Sequence, residues 1–262
     1  MGERITGFLS HWMTFSGVGM MVLLVLLSYL FFAPGVRRRE RLLGSACAAV
    51  LASSLLVAFT RSIWLATAVA VAYLVWQWRP KLLLAGPVIV AVAVAAGPDA
   101  VKKRLESMVT TEGDRSVSAR VIMWRTGWEM IQAHPVLGMG PERVGPEFRR
   151  YQPPEVTELP PAFYGHLHNL YIHYAAERGI PAVAALLWLL GRILWDHWRG
   201  LRAATGDERF VLHAVVAVTI GIVVEGLFEL NLGDSEVLTF YLAVVSLGYA
   251  ALGRVQPVPQ PK

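Results

Sequence analysis

The stretch His166-Leu167-His168-Asn169-Leu170-Tyr171 sets two imidazoles two positions apart, with a third, His173, five residues beyond His168. Imidazole titrates near physiological pH, so one chemistry open to this stretch is general-base removal of a proton from an attacking hydroxyl. A His-x-His pair also supplies two metal ligands. No third ligand stands at a recognised motif spacing, so no metal is expected. The third reading is a pair of loop histidines that bond backbone groups, and spacing alone leaves all three open.

Arg61 interrupts Phe59-Thr60-Arg61-Ser62-Ile63-Trp64, between two apolar runs that leave no room for a loop. An arginine at a bilayer edge snorkels, pairs with a lipid phosphate, or serves as a clamp for phosphate or diphosphate, whose oxygens match the guanidinium fork. Arg120 lies three residues after Val117 and four before Trp124, at the edge of an apolar helical stripe. It either reaches what that stripe covers or is a solvated helix-face charge, as Arg125 is expected to be. Glu225 and Glu229, four apart near the outer end of an apolar run, lie on one helix face and suit a polar cavity or a pairing with an arginine. Arg192 and Asp196 have the same spacing and read as a snorkelling ion pair.

These residues are set in a chain that is 55% hydrophobic and only 16% charged over 262 residues, with a mean hydropathy of +0.48. Soluble domains average about 25% charged residues. The deficit lies in long uncharged runs, which read as membrane helices. The net charge of +5 therefore belongs to helix ends and gives no sign of nucleic-acid binding. The fold class expected is an all-α, polytopic helical membrane protein of about seven spans with a large helical periplasmic segment. The spans are read at Ser16–Ala33, Leu42–Phe59, Ser62–Trp78, Leu82–Gly97, Pro181–Trp198, Val211–Leu230 and Glu236–Leu252. Trp64, Trp76, Trp78, Trp188, Trp195 and Trp198 sit in or near the ends of these runs, as in an interfacial belt. The lone cysteine, Cys47, excludes an intramolecular disulfide and a cysteine zinc cluster. Met1 to Thr14, with Glu3, Arg4 and His11, does not read as a secretory signal.

Arginines and lysines at 37–41, 79–81, 199–209 and 254–262 alternate correctly if all four sites are cytoplasmic. Residues 98–180 and Asn231–Asp234 then face outward. The domains expected are N-terminal membrane helices (1–97), a periplasmic segment with amphipathic helices and a catalytic loop (98–180), C-terminal membrane helices (181–252) and a disordered cytoplasmic tail (253–262). Within the outer segment, Val117, Val121, Trp124, Trp128 and Ile131 recur at helical spacing. The helix they define lies on the membrane surface or over a cavity mouth and stops at His134-Pro135. Asn169 is placed to start the next helix, Gly179 to end it, and Pro181 suits the first turn of the following span.

Three motifs together resemble the O-antigen ligase and O-antigen polymerase-like superfamily of bacterial membrane glycan transferases. They are Thr60-Arg61-Ser62-Ile63-Trp64-Leu65, the run from Arg120 through Trp128 to His134-Pro135-Val136-Leu137-Gly138-Met139-Gly140, and His168-Asn169-Leu170-Tyr171 with Glu177-x-Gly179. The resemblance implies transfer of a glycan from an undecaprenyl-diphosphate carrier to an acceptor on the outer face of the bacterial cytoplasmic membrane, inverting and without metal or other cofactor. It implies that Arg61 and Arg120 engage the diphosphate and that His168 is the base, with His166 the lower-ranked alternative. His166, Asn169 and Glu177 are placed with the substrate-binding groups. The absence of a phosphate-binding glycine loop and of an Asp-x-Asp motif agrees with that chemistry. The partners implied are the lipid-linked glycan, an acceptor glycan, lipid or protein, and the bilayer. Ligase, polymerase and protein O-oligosaccharyltransferase share the motifs. The resemblance runs from about Arg4 to Leu190. Members have about a dozen spans, so the chain resembles their C-terminal portion, with further N-terminal helices expected from elsewhere. The rival from another class is a non-catalytic membrane protein, such as a carrier or channel subunit that binds an anionic lipid through the same arginines.

Overall fold

The computed structural model describes residues 11–86, 115–157 and 165–255; for Ala85 and Arg115–Ser118 it describes the backbone alone. The described residues form nine α-helices: α1 Trp12–Phe32, α2 Arg38–Val57, α3 Arg61–Trp78, α4 Arg115–Ala133, α5 Val144–Tyr151, α6 Leu170–Arg178, α7 Ile180–Gly200, α8 Gly206–Glu225 and α9 Ser235–Leu252. The expected all-helical class holds for these residues. Four helices, α1, α2, α7 and α9, are long and apolar enough to cross a membrane. Helices α3 and α8 occupy the third and sixth expected spans; α3 opens on Arg61, and α8 holds Asp207, Glu208, Arg209 and Glu225. Of the fourth expected span, Pro80–Ala85 is a 3-10 helix, and residues 87–97 lie outside the described residues.

Helix α8 is the axis of the membrane bundle. It is apolar on every side between its charged ends, the pattern of a helix surrounded by others, and it packs against α1, α3, α7 and α9. Its start lies beside the ends of α1 and α3. Ser28 donates to the Phe210 carbonyl at 2.6 Å, Tyr73 bonds His213 at 2.9 Å, and Phe32 stacks on His213. The opposite end of the bundle therefore gathers the start of α1, Arg61 at the start of α3, the end of α8 and the start of α9. There Thr14 at the head of α1 donates to Asp234, the N-cap of α9. Trp76, Trp188 and Trp195 are exposed on the bundle flanks, where an interfacial belt would put them.

One expectation is corrected by the fold. The sixth run was read as helical to Leu230 with Glu225 and Glu229 on one face; α8 instead stops at Glu225 and the chain turns into a 3-10 helix at Asn231–Gly233. The carbonyls left open at a helix end need donors, and here they find them outside the helix. Asn231 Nδ2 donates to Ile222 O at 2.9 Å, Tyr171 OH to Val223 O at 2.8 Å, Leu170 N to Gly226 O at 2.8 Å and Asn169 Nδ2 to Leu227 O at 2.9 Å. Helix α4 runs where the sequence stripe placed it. Its packed face is Ala119, Met123, Thr126 and Met130, with Ile131 shared. Val121 and Trp128, in the expected stripe, are exposed. The packed face is offset because Gly127 lets α4 approach Leu167 and Ile172 closely, a Cβ there lying 2.6 Å from each. Helix α4, α5 and α6 close a second apolar core around Met123, Met130, Phe148 and Leu167.

Candidate functional site at one end of the bundle

Helix α6 carries the site on its N-terminal side. Asn169 caps it as expected, its side-chain oxygen accepting from Tyr171 N at 3.0 Å and Ile172 N at 2.9 Å. The same side chain donates to Leu227, so one residue starts α6 and ties it to the turn after α8. Leu167 is buried in the α4–α6 core and Leu170 in the membrane core. The residues between must turn from one core to the other, and His168 does so with φ 46°. That left-handed conformation costs a non-glycine residue about 1–2 kcal/mol. It is held by the two buried leucines and by the cap.

The turn brings His168 Nδ1 to 2.8 Å from Glu229 Oε2, with both side chains only 9% exposed. His166 lies alongside, its ring centroid 4.2 Å from that of His168 and its Nδ1 3.6 Å from Glu229 Oε1. Burial tends to raise the Glu229 carboxyl, but the hydrogen bond and charge of His168, with help from His166, outweigh it and hold the group below the usual carboxylate value. Burial pushes His166 down to about 4, against the pull of Glu229 and with the neighbouring histidines adding to the fall. At neutral pH the arrangement is an ionised carboxylate beside a neutral His166. A His168 ring that donates Nδ1–H to the carboxylate and is otherwise unprotonated carries its lone pair on Nε2, the tautomer a general base requires.

Glu229 was read in the sequence as a cavity or arginine-pairing residue. Its described side-chain partners are the two histidines, His168 being 61 residues away in sequence, and Leu230 N also donates to it at 3.3 Å. The pairing supplies the third group that the His-x-His spacing lacked. The ligand-type atoms of His166, His168 and Glu229 lie within 4.8 Å of one another. This is a donor set that suits a divalent cation in composition. The 2.8 Å separation is that of a hydrogen bond, which an ion shared by both groups would replace.

Arg61 is half-buried at the first turn of α3, at the same end of the bundle, just after a tight reversal through Phe59 with φ 52°. Arg120 is half-buried on α4, next to buried Ala119 and two turns before the close contact of Gly127 with α6. Glu177 is at the other end of α6. One of its oxygens accepts from Glu142 N at 2.7 Å and the other from Arg178 Nε at 3.0 Å. There the motif residues 135–140 dock on the end of α6. Met139 N donates to Ala176 O and Gly140 N to Glu177 O, both at 2.9 Å, and Ile180 N donates to Pro135 O at 2.8 Å. Gly138 and Gly179 have φ of 64° and 85°, and a Cβ on Gly179 would lie 1.9 Å from Val136 O. Gly138 of the second motif and Gly179 of the third are therefore required by one backbone-to-backbone clasp.

Beside the dyad, between the head of α1 and the turn after α8, lies a cavity of about 420 Å³ whose walls include Thr14, His166, Glu225, Glu229, Asn231 and Asp234. Glu225 is almost wholly buried and accepts from Asn231 Nδ2 at 3.3 Å. The sequence suggested polar lining by the two glutamates; Thr14, Asn231 and Asp234 were not foreseen. A capping Asp-Ser-Glu run opening α9 was the available signal for Asp234.

A family model described as O-antigen ligase matches residues 46–187, just over half of the chain, spanning Arg61, Arg120, both site histidines and the glycine clasp. Glu225, Glu229 and Asp234 fall after the matched region. No curated protein matches the chain. With its apolar helices, and with the three motifs falling inside the matched region in the expected order, the chain belongs to the O-antigen ligase family.

Proposed function

We propose that the chain transfers a glycan from an undecaprenyl-diphosphate-linked donor to an acceptor hydroxyl on the periplasmic face of the cytoplasmic membrane, with inversion and without a metal. The observation that carries this reading is the buried 2.8 Å contact between His168 and Glu229. A carboxylate that orients an imidazole and balances its charge is the usual setting of a general base. Nothing in anchoring a lipid requires it. His168 takes the acceptor proton as the hydroxyl oxygen attacks the anomeric carbon. Arg61 and Arg120 hold the diphosphate and stabilise the charge it gains as the carbon–oxygen bond breaks. Asn169 positions His168 through the cap and the Leu227 bond. Glu177 acts on the clasp, since its oxygens are engaged by Glu142 and Arg178.

The test is donor consumption by the protein in lipid bilayers, with EDTA and with Arg61→Lys, Arg120→Lys and His168→Ala. Lysine keeps the charge and loses the bidentate fork. Impaired turnover in all three variants and indifference to EDTA are expected. Loss of activity with EDTA, restored by Zn²⁺, Mg²⁺ or Mn²⁺, would make His166, His168 and Glu229 a metal centre instead. Protein O-oligosaccharyltransferase activity is the alternative within the same chemistry, decided by supplying a protein acceptor. Wild-type behaviour of every variant with no glycan consumed would leave an anionic-lipid-binding membrane protein.

A further inference from the structure

The cavity beside the dyad has a charge character opposite to that of the two arginines. Its volume of about 420 Å³ is within the roughly 300–1,000 Å³ of small-molecule sites. Among the described residues that line it there is no lysine or arginine. Two carboxylates outside the helices dominate its walls. Glu229 is held ionised by His168. Asp234 accepts from Glu236 N at 2.9 Å and Val237 N at 3.2 Å through one oxygen and from Thr14 through the other. Each carboxylate has about four acceptor positions, so both retain capacity toward the cavity, and that capacity is for donors alone. Hydroxyl and ammonium groups fit such walls. A carboxylate or phosphate entering would meet these like charges and, among the described lining residues, no lysine or arginine.

We infer that this cavity is the subsite for the acceptor sugar, and that it admits neutral or amino-bearing sugar rings and turns away anionic ones. The inference rests on the transferase reading and adds to it the acceptor's place and charge class. Donor and acceptor are then sorted by sign, the diphosphate toward the arginines and the acceptor ring against the carboxylates. A hydroxyl presented at the His166 wall is one imidazole away from His168. Its oxygen forms the new bond to the anomeric carbon, the old carbon–oxygen bond leaves with its electron pair on the diphosphate, and the proton passes to His168.

The experiment is saturation-transfer NMR on the full chain in lipid nanodiscs with three probes that need no donor: methyl β-glucoside, methyl β-glucosaminide and methyl β-glucuronide. Transfer to the first two is expected, with the glucuronide at least tenfold weaker. Asp234→Asn keeps an oxygen that can cap α9 and removes the charge. It should raise the glucuronide signal relative to the glucoside signal. Equal transfer to all three probes, no transfer to any, or an Asp234→Asn protein with the parent's discrimination would each overturn the inference. These outcomes are separate from donor consumption. A chain that consumes lipid-linked glycan without discriminating the probes keeps the transferase reading and loses the acceptor subsite. A chain that discriminates the probes and consumes no donor does the reverse.

Discussion

Helix α6 is only nine residues long, yet its two ends hold the protein together by different means. At the start, side chains do the bonding: Asn169 reaches Leu227, Tyr171 reaches Val223, and His168 reaches Glu229. At the finish the backbone does it, through Met139, Gly140 and Ile180, with glycines where any Cβ would collide. Both ends hold a buried histidine near a glutamate. His168 sits 2.8 Å from Glu229, whereas His173 is 3.8 Å from Glu177, whose oxygens already accept from Glu142 and Arg178. Burial lowers the His173 pKa, with Glu177 opposing and Arg178 adding to the fall. A histidine beside a carboxylate is therefore not enough to mark a base. The carboxylate must be committed to the imidazole, and their cluster must border a space where a substrate fits, as Glu229 and His166 do.

The largest effect expected is at the first end. His168→Ala should lower donor turnover by ~10²–10⁴-fold, the usual contribution of a positioned base, while donor binding persists. A comparable loss from His173→Ala in a folded protein would erase the distinction between the ends. Glu229→Gln should follow. It preserves shape and one hydrogen bond but removes the charge that balances a protonated His168, and a loss of ~10-fold in kcat corresponds to about 1.4 kcal/mol. Unchanged kcat in that variant would reduce the dyad to packing.

At the second end the expected effect is on folding. Gly179→Ala adds roughly 1–2 kcal/mol of backbone strain before the collision with Val136 O is counted. Its thermal midpoint in detergent should fall well below that of Glu177→Gln, for which a change within about 1 kcal/mol is expected, since an exposed arginine partner contributes little. Glu177→Gln should also keep its turnover. A stable Glu177→Gln protein that no longer consumes donor would move the substrate to this end of α6.

The smallest effect is a pH dependence. His166 is held at about 4 in the fold and returns to about 6.5 when unfolded, so the unfolded chain takes up the proton first as pH falls. The stability His166 contributes is complete above 6.5 and declines toward 4. Glu229, also depressed, loses its contribution as pH falls through its folded value. The thermal midpoint should therefore drop as pH is lowered from 6.5 to 4, and His166→Gln should flatten that slope. An identical slope in the variant would mean that other groups set it.

Hydropathy and punctuation made much of the fold legible. Apolar runs marked six of the helices seen, because a membrane helix must satisfy its backbone within itself and needs only length and apolarity to declare it. Asn169, Gly179 and His134-Pro135 marked the ends of α6 and α4, since caps and breakers act on their immediate neighbours. Arg61, Arg120 and His168 stood out because a charge or a titratable ring among apolar runs has few uses. Only the tertiary structure decided where α8 stops, since the donors that finish it come from α6 and from Asn231. Only it chose the packed face of α4, since the close approach at Gly127 depends on Leu167 and Ile172. The partner of His168 was beyond the sequence for the same reason: Glu229 reaches it across a contact between two elements, and no local spacing encodes that distance.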